Sequence, residues 1–382
     1  MKKKVLFMID SLTCGGAERS LVSLLPLLDY DKVDVTLMLV GRGGVFEQYV
    51  PKQVKMITMT HPIGLSNHLS RLLYSFFLRV FPLLGIKEHT AETRWRAVGW
   101  AMPRVEEVYD VAIAYQQGFP SYYIADKVIA KHKYTWVNAD IKKAGYDVSY
   151  TNKVYAKYDK VIGVSDAVCN DLKMYGYVCD TEKIVAVYDI LNTDLIRQMS
   201  KESGFTDGYT GIRLVTVGRM VPPKSYDLAV KAADELQKRG YKFKWSFVGD
   251  GCSRPMIERM IAEYNLGEYI ELLGEHANPY PFMAVCDIYV QTSSFEGFGL
   301  TVTEARILGK AEVCTNFPSA YNQITDGETG LICEMTPKAV ADKIELLLLD
   351  NKLKTKLEEN VAKEVNTTAE TESAKVKALI EI

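Results

Sequence analysis

Two glutamates, Glu296 and Glu304, lie eight positions apart in the stretch SSFEGFGLTVTEA, directly after the apolar run CDIYVQ. The apolar run predicts a buried strand, and the residues from Leu300 onward predict a helix. Gly297 and Gly299 leave room at the start of that helix for backbone amides, which together with the helix dipole favour an anion such as a diphosphate. The spacing therefore suits a nucleotide sugar, with amides for the diphosphate, one carboxylate for sugar hydroxyls and the other for ribose hydroxyls.

Two other interpretations of these glutamates stay open. Both side chains could simply be solvated, although the residues around them are apolar. They could also be the acid/base pair of a glycosidase, which needs carboxyl groups about 5–9.5 Å apart across a sugar. A glycosidase has no use for a phosphate-binding loop, so we rank that interpretation lower.

Neighbouring strand-to-helix loops carry cations and glycines. Arg219 and Lys224 follow the strand-like run RLVTVGR, where they could hold phosphate oxygens or could equally be two surface cations. Gly249 lies in the turn VGDG, where a glycine lets the backbone approach a ligand. Any turn can contain such a pattern, so Gly249 alone is weak support.

Composition limits the class of protein. The chain has 382 residues, enough for two domains, and a formal net charge of −2, which does not favour nucleic acid as a partner. The 7 cysteines are scattered without metal-ligand spacing, so we expect a reducing, cytoplasmic compartment and no zinc site. The first apolar run, in MKKKVLFMID, is too short for a signal peptide and predicts a strand, and no run reaches the ~18–20 apolar residues of a membrane span.

Apolar strand-like runs alternate with amphipathic helical patterns along the whole chain. This alternation predicts an α/β protein with two Rossmann-like, doubly wound parallel-sheet domains that face a cleft. The predicted N-terminal domain spans residues 1–200 and the C-terminal domain residues 201–365. A linker is expected at about 193–211, and residues 366–382 form a C-terminal segment that could pack back on the N-terminal domain.

A set of motifs extends over nearly the whole chain. The second half contains VGRMVPPKSYDLAVKAA, VGDG, GEHANPYPFMAVCDIYVQTS, EGFGLTVTEA and TNFPSAYNQITDGETGLI, and the first half contains SLTCGGAERSLVSLL and VIGVSDAVCNDL. In this order they resemble the retaining glycosyltransferases of family 4, which are group 1 glycosyltransferases with the GT-B fold. The resemblance implies a C-terminal domain that binds a nucleotide-sugar donor and an N-terminal domain that binds the acceptor.

The resemblance also implies roles for individual residues. Glu296 would contact hydroxyls of the donor sugar and Glu304 those of the ribose. The diphosphate would be neutralised without a bound metal or cofactor, and the donor would be a UDP-sugar rather than a GDP-sugar. The residues implied at the donor diphosphate and around it are Arg219, Lys224, the amides of Phe298, Gly299 and Leu300, and also Gly15, Gly16, Gly249 and Asn278.

Two positions depart from the family pattern. Relatives often have Trp-x-His-x-Asp at the end of the fifth strand, where this chain has Trp136, Asn138 and Asp140. Asn138 can donate a hydrogen bond but cannot carry a proton, which leaves Asp140 as the better candidate for catalysis beside Glu296. Glu312 stands where relatives tend to have an apolar residue, and it would be costly in a buried strand unless it were paired or at the rim.

An apolar, aromatic stretch in the first half, residues 69–86, contains Arg71 and Arg79. It could be an interfacial helix on the inner face of the membrane, or an ordinary buried helix. Residues 116–123, QQGFPSYY, could line the acceptor site or serve only as turn and capping groups.

These observations predict a retaining, metal-independent glycosyltransferase of the hexosyltransferase type that acts in cell-surface polysaccharide or glycolipid synthesis on a glycan or lipid-linked acceptor. The alternatives are a GT-B sugar-nucleotide epimerase or hydrolase, and a nucleotide-binding assembly subunit that has lost catalysis. A dinucleotide-dependent oxidoreductase is disfavoured, because SLTCGGAE stands where a G-x-G-x-x-G motif would follow the first strand.

Overall fold

The computed structural model describes residues 2–13, 15–60, 65–83, 88–296, 298–364 and 368–381. The chain divides into two compact units. The N-terminal unit comprises Met1–Ile190 and Thr368–Ile382, and the C-terminal unit comprises Leu191–Thr367.

The N-terminal unit is built on a parallel sheet with the order β3-β2-β1-β4-β5-β6-β7. Its central strand β1 is buried because every side chain from Val5 to Ile9 is apolar, and each is 0 % exposed. The strands are β1 (Lys3–Ile9), β2 (Val33–Leu39), β3 (Lys55–Thr58), β4 (Val108–Ala114), β5 (Ile129–Val137), β6 (Lys160–Gly163) and β7 (Ile184–Ala186). The helices are α1 (Gly16–Leu24), α2 (Leu65–Leu83), α3 (Thr90–Val98), α4 (Phe119–Lys127), α5 (Val148–Tyr155), α6 (Asp166–Met174) and, at the end of the chain, α14 (Thr368–Glu381).

Helix α14 belongs to the N-terminal unit and packs against α1. Its inward face carries Val376 and Ile380, which are buried. Glu372 accepts a hydrogen bond from the backbone N–H of Tyr188 at 2.8 Å and forms an ion pair with Lys375, also at 2.8 Å. Apolar burial and a buried carboxylate thus both attach this helix to the end of the N-terminal sheet.

The C-terminal unit repeats the plan with the parallel order β10-β9-β8-β11-β12-β13. Trp245, Phe247, Ile288 and Val290 are fully buried at its centre. The strands are β8 (Ile212–Val217), β9 (Phe243–Val248), β10 (Ile270–Gly274), β11 (Ile288–Gln291), β12 (Glu312–Thr315) and β13 (Leu331–Cys333). The helices are α7 (Thr193–Met199), α8 (Tyr226–Lys238), α9 (Arg254–Glu263), α10 (Tyr280–Ala284), α11 (Leu300–Ile307), α12 (Pro337–Leu349) and α13 (Asn351–Lys363).

The predicted linker, residues 193–211, begins with a helix. Asn192 caps α7 by accepting a hydrogen bond from the N–H of Leu195 at 3.1 Å. Ile196 and Met199 are buried, and α7 packs against α10 and α11 of its own unit. The boundary between the units therefore falls at Ile190–Leu191, before the predicted one at residue 200.

Both sheets are doubly wound, and in each the strand order reverses once. The reversal lies between β1 and β4 in the N-terminal unit and between β8 and β11 in the C-terminal unit. Ligands of such sheets bind beyond the carboxyl ends of the strands at the reversal. The loops after β8 and β11 are the ones that contain Arg219, Lys224 and Glu296.

Glu312 occupies the first position of β12, which lies between β11 and the edge strand β13 in the C-terminal sheet. The residue is 0 % exposed, and neither carboxyl oxygen has a hydrogen-bond partner in the described part of the chain. Burial raises the pKa of Glu312 well above its ordinary value of 4.5, and the charge of Arg306 opposes this rise only in part. Glu312 is thus not at the rim, and it has no hydrogen-bonded partner, so its burial costs stability.

Replacing Glu312 by leucine should stabilise the C-terminal unit, and more so at high pH. The raised pKa means that the folded protein keeps a proton which the unfolded chain releases, so the wild type loses stability as pH rises above about 4.5. We expect Glu312→Leu to increase the free energy of unfolding by about 1–3 kcal/mol at pH 8 and by less at pH 5. Urea unfolding at the two pH values measures this, with exposed Glu268→Leu as the control; a gain that does not depend on pH would contradict the account.

Candidate active site

Two loops meet at the carboxyl edge of the C-terminal sheet, the loop after β8 and the loop after β11. The backbone N–H of Ser294 donates to the carbonyl of Pro223 at 2.8 Å. The hydroxyl of Thr292 donates to the carbonyl of Lys224 at 3.2 Å. Since β8 and β11 are neighbours at the reversal of strand order, residues far apart in the sequence share one site.

Glu296 and Lys224 form an ion pair at this site. Lys224 Nζ lies 2.6 Å from Glu296 Oε1. The same oxygen accepts hydrogen bonds from Ser293 Oγ at 2.6 Å and from Gln291 Nε2 at 2.8 Å. The side chain of Glu296 is 9 % exposed and that of Lys224 is 21 % exposed. The structure therefore brings the two predicted residues together, and it adds Gln291 and Ser293, which lie within the quoted motifs but had no assigned role.

The start of α11 presents backbone amides beside this pair. Gly299 caps the helix with φ +93°, a conformation that favours glycine. Two carbonyls of the loop before α11 accept hydrogen bonds from the protein. Ser319 donates to the carbonyl of Glu296 at 3.1 Å, and Gln323 donates to that of Phe298. Because a trans peptide points its C=O and N–H in opposite directions, the N–H of Gly299 faces away from Gln323. Gly297 lies outside the described residues.

Arg219 follows β8 and is exposed. Within the described ranges its guanidinium forms neither a hydrogen bond nor an ion pair with the protein, although its backbone carbonyl accepts from the N–H of Val221 at 2.8 Å. A guanidinium without a protein partner remains available for an anion. Arg219 and the start of α11 therefore lie at the same edge of the C-terminal sheet.

Glu304 lies in the second turn of α11 and is 0 % exposed. The hydroxyl of Tyr280 donates to its Oε1 at 2.9 Å. A ribose hydroxyl can reach this carboxylate only if the side chains that cover it move. Its predicted contact with ribose therefore requires a rearrangement on binding.

Gly249 and Asn278, also predicted to bind the donor, make contacts inside the protein. A Cβ at Gly249 would stand 2.0 Å from the carbonyl oxygen of Gly218, so this glycine allows two loops of the protein to meet. The Asn278 amide donates to the carbonyl of Met199 at 2.7 Å and to Glu202 at 2.9 Å, and its oxygen accepts from the N–H of Tyr280 at 3.1 Å. Asn278 thus joins the end of α7 to the start of α10.

The remaining predicted residues lie in the N-terminal unit. Gly15 caps α1 and Gly16 begins it. Asp140 closes a turn after β5, because it accepts from the N–H of Lys143 at 2.9 Å and pairs with the ammonium group of the same lysine at 3.2 Å. Asn138 donates from its backbone N–H to Gln117 at 2.8 Å and from its side chain to the carbonyl of Tyr115 at 3.0 Å.

Two buried oxygens at this N-terminal sheet edge lack donors. They are Oδ1 of Asn138, after β5, and Oδ1 of Asp10, after β1; no described residue donates to either. Burial raises the pKa of Asp10, and the charge of Arg94 opposes the rise. Two unpaired acceptors on either side of β4 fit a ligand that carries hydroxyl groups. Asp10 had not been singled out, since an aspartate after a strand is a common turn residue.

Helix α2 includes the described part of the apolar stretch at residues 69–86; residues 84–86 lie outside the described ranges. Four apolar side chains at helical spacing, Leu69, Leu72, Phe76 and Leu83, are exposed, Leu72 to 67 % and Leu83 to 84 %. We call these four residues the α2 stripe. The prediction of an ordinary buried helix is therefore wrong for this face. No helix in the described ranges is long and apolar enough to cross a membrane.

Comparison with known proteins agrees with this geometry. Residues 208–364 match the family model of the glycosyl transferases group 1. The chain is 28% identical over 204 residues to the N-acetylgalactosamine-N,N'-diacetylbacillosaminyl-diphospho-undecaprenol 4-alpha-N-acetylgalactosaminyltransferase of Campylobacter jejuni, a match that covers 53% of this chain and 54% of that one. It is 26% identical over 214 residues to the capsular polysaccharide biosynthesis glycosyltransferase CapM of Staphylococcus aureus, covering 55% of this chain and 52% of that one. The matches thus span about half the length of these curated relatives.

The fold has counterparts among solved structures. The Anabaena protein Alr3699/HepE, crystallised with UDP and glucose, superposes with a TM-score of 0.73 at 17% identity, over 99% of both chains. With two parallel-sheet α/β units, the chain has the predicted GT-B fold. Residues 208–364, which match the model of the glycosyl transferases group 1, lie within its C-terminal unit.

Proposed function

We propose that this protein is a retaining glycosyltransferase of family 4 that transfers a sugar from a nucleotide-diphosphate sugar to a glycan or lipid-linked acceptor. The observation that carries the proposal is the Lys224–Glu296 pair, which lies beside the amides of Gly299 and Leu300 and next to the unpaired Arg219. Two cations and a helix start at the carboxyl edge of a doubly wound sheet form a site for a diphosphate, and an adjacent carboxylate suits the hydroxyls of a sugar.

The names of the relatives support the substrate classes. The C. jejuni relative is named for a diphospho-undecaprenol-linked substrate, and the S. aureus relative is named for capsular polysaccharide biosynthesis. The Anabaena structure contains UDP and glucose. We therefore propose a UDP-sugar as donor and a role in the synthesis of a cell-surface polysaccharide or glycolipid.

The proposed reaction breaks the bond between the anomeric carbon and the diphosphate oxygen, and forms a bond to the acceptor oxygen on the same face of the sugar. Arg219, Lys224 and the helix amides stabilise the negative charge that develops on the diphosphate, so the site needs no bound metal. The departing phosphate oxygen takes the acceptor proton. Glu296 orients the sugar through its hydroxyls, and Glu304 is assigned to the ribose. Asn138 cannot carry a proton, and its unpaired Oδ1 can accept a hydrogen bond from a hydroxyl.

A thermal-shift panel of UDP-, GDP- and ADP-sugars tests this proposal. A ligand at 100 times its Kd should stabilise the folded protein by about 2.7 kcal/mol, which gives a clear rise in Tm. We expect UDP-sugars to give the largest rise. No rise with any of the nucleotide sugars at millimolar concentration would overturn the proposal.

We also propose that α2 docks on the anionic inner face of a membrane, near a lipid-linked acceptor. The α2 stripe supplies exposed apolar side chains, while Arg71 and Arg79 are exposed on the adjoining face. Helix α2 contains no aspartate or glutamate, so these two charges meet no acid on their own helix. An exposed apolar stripe flanked by arginines matches an anionic lipid surface.

The double variant Arg71→Ala/Arg79→Ala should bind anionic vesicles more weakly. Each arginine near such a surface contributes about 1 kcal/mol, so the partition coefficient should fall roughly 30-fold. Co-sedimentation with vesicles of phosphatidylglycerol and phosphatidylcholine measures it, and a double alanine at the exposed Lys242 and Lys352 is the control. Equal binding of the wild type to neutral and anionic vesicles would reject the docking surface. So would a loss of vesicle binding in the lysine control as large as that in the arginine variant.

A further inference from the structure

We infer that Gln291 is a positioning residue that holds one oxygen of the Glu296 carboxylate and so presents the other to the donor sugar. The inference rests on the proposed function. Gln291 is the last residue of β11 and is only 1 % exposed. The three strand residues before it are apolar or aromatic. A buried glutamine at such a place costs stability unless its amide is fully used.

The amide of Gln291 has a partner on both sides. Its Oε1 accepts a hydrogen bond from the hydroxyl of Tyr289 at 2.6 Å and a longer one from Thr301 Oγ1 at 3.4 Å. Its Nε2 donates to Ser293 Oγ at 2.7 Å and to Glu296 Oε1 at 2.8 Å. If the amide turned over, its oxygen would face the carboxylate oxygen of Glu296 and repel it. The carboxylate of Glu296, which can only accept, therefore fixes the N–H₂ side toward itself, and the hydroxyl of Tyr289 holds the oxygen side by donating to it.

Among the described residues, the hydrogen bonds to the carboxylate of Glu296 all fall on one oxygen. Oε1 receives Lys224, Ser293 and Gln291, at 2.6, 2.6 and 2.8 Å. No described residue donates to Oε2. A carboxylate with one oxygen fixed by three donors has a defined orientation, and its second oxygen keeps its lone pairs for a hydroxyl of a ligand.

Gln291 and Lys224 hold the carboxylate from different directions and in different ways. Lys224 is partly exposed and is assigned to the diphosphate, so a bound nucleotide sugar competes with Glu296 for its ammonium group. Gln291 and Ser293 are fully buried, so an incoming ligand does not compete for their hydrogen bonds to Glu296. They therefore define where Glu296 points at the moment when Lys224 turns to the phosphates.

The test distinguishes binding of the sugar part of the nucleotide sugar from binding of its nucleotide part. Wild type and Gln291→Leu are titrated with UDP, and with UDP-glucose, UDP-N-acetylglucosamine and UDP-N-acetylgalactosamine. We expect Gln291→Leu to bind UDP within about twofold of wild type but to lose the additional affinity for the preferred UDP-sugar, and its kcat/KM to fall about 100-fold, as expected for a displaced reacting group. Tyr289→Phe removes the hydrogen bond to the amide oxygen of Gln291. Its affinity for the preferred UDP-sugar and its kcat/KM should lie between those of the wild type and those of Gln291→Leu.

Gln237→Leu is the matched control, because Gln237 donates only to the carbonyl of Asn265, outside the site. Weaker binding of UDP and UDP-sugar in equal measure by Gln291→Leu would indicate a merely structural role and overturn the inference. Failure of the wild type to bind any of these nucleotides would reject the proposed function first, and the inference with it. A crystal structure of Gln291→Leu is a ligand-free check: we expect the Glu296 carboxylate to turn, and an unchanged carboxylate would also overturn the inference.

Discussion

Replacing Lys224 by alanine should lower kcat/KM for the nucleotide sugar at least about 100-fold, the loss typical when one charge-stabilising donor is removed from an active site. In the ligand-free protein, Lys224 Nζ is 2.6 Å from Glu296 Oε1 and is 21 % exposed, so an incoming diphosphate can compete for it. The alanine variant loses this cation at the point where negative charge develops. It also leaves Glu296 with two donors instead of three, which loosens the carboxylate at the sugar end.

Activity and binding measured on the same variant distinguish this effect from unfolding. Lys231→Ala is the control, because Lys231 lies on α8, is 43 % exposed and pairs only with Asp227 at 3.4 Å. We expect that control to keep wild-type kinetics and both variants to keep the wild-type Tm within a few degrees. Unchanged UDP affinity and kcat/KM in Lys224→Ala would remove Lys224 from the diphosphate site.

The variant Gly249→Ala should destabilise the C-terminal unit by about 2–4 kcal/mol, the sum expected for a strained backbone and an overpacked contact. Gly249 has φ +147°, and a Cβ there would lie 2.0 Å from the carbonyl oxygen of Gly218. That carbonyl cannot move freely, since the hydroxyl of Tyr226 donates to it at 2.7 Å. The strain has to spread into the loop that contains Arg219.

Urea unfolding monitored by circular dichroism measures the loss of stability. Gly267→Ala is the matched control, because a Cβ at Gly267 would meet nothing within 4 Å. We expect the control to stay within about 0.5 kcal/mol of wild type, as surface substitutions usually do. Equal stability of the two alanine variants would show that Gly249 is not needed for the contact between these loops.

The periodicity of the sequence predicts most of the fold, because buried parallel strands have sequences that are short apolar runs. The ends of helices were harder to predict. Helix α1, for example, ends at Leu24 because Pro26 follows, and Leu25–Leu27 form a 3₁₀ turn although they are as apolar as the helix before them. Helix α4 likewise ends at Lys127, since pairing of Ile129 with Val108 begins β5.

The candidate site was predictable where its residues belong to a local motif or follow the carboxyl end of a predicted strand. Glu296, Gly299 and Leu300 lie within a few residues of one another, so their common location follows from a strand, a loop and a helix. The bonds of Gln291 to Glu296 and of Gly249 to its neighbouring loop depend on which way a side chain or a carbonyl points after folding. A sequence pattern does not encode such directions, and for Asn278 it could not distinguish a ligand contact from a link between α7 and α10.

The most direct measurement is a crystal structure of the protein with UDP and with the UDP-sugar that stabilises it most. We predict the diphosphate within hydrogen-bond distance of Lys224 Nζ, the Arg219 guanidinium and the amides of Gly299 and Leu300, with a sugar hydroxyl on Glu296 Oε2. A nucleotide bound elsewhere, or a diphosphate that leaves the Lys224–Glu296 pair intact and contacts none of these groups, would contradict the account.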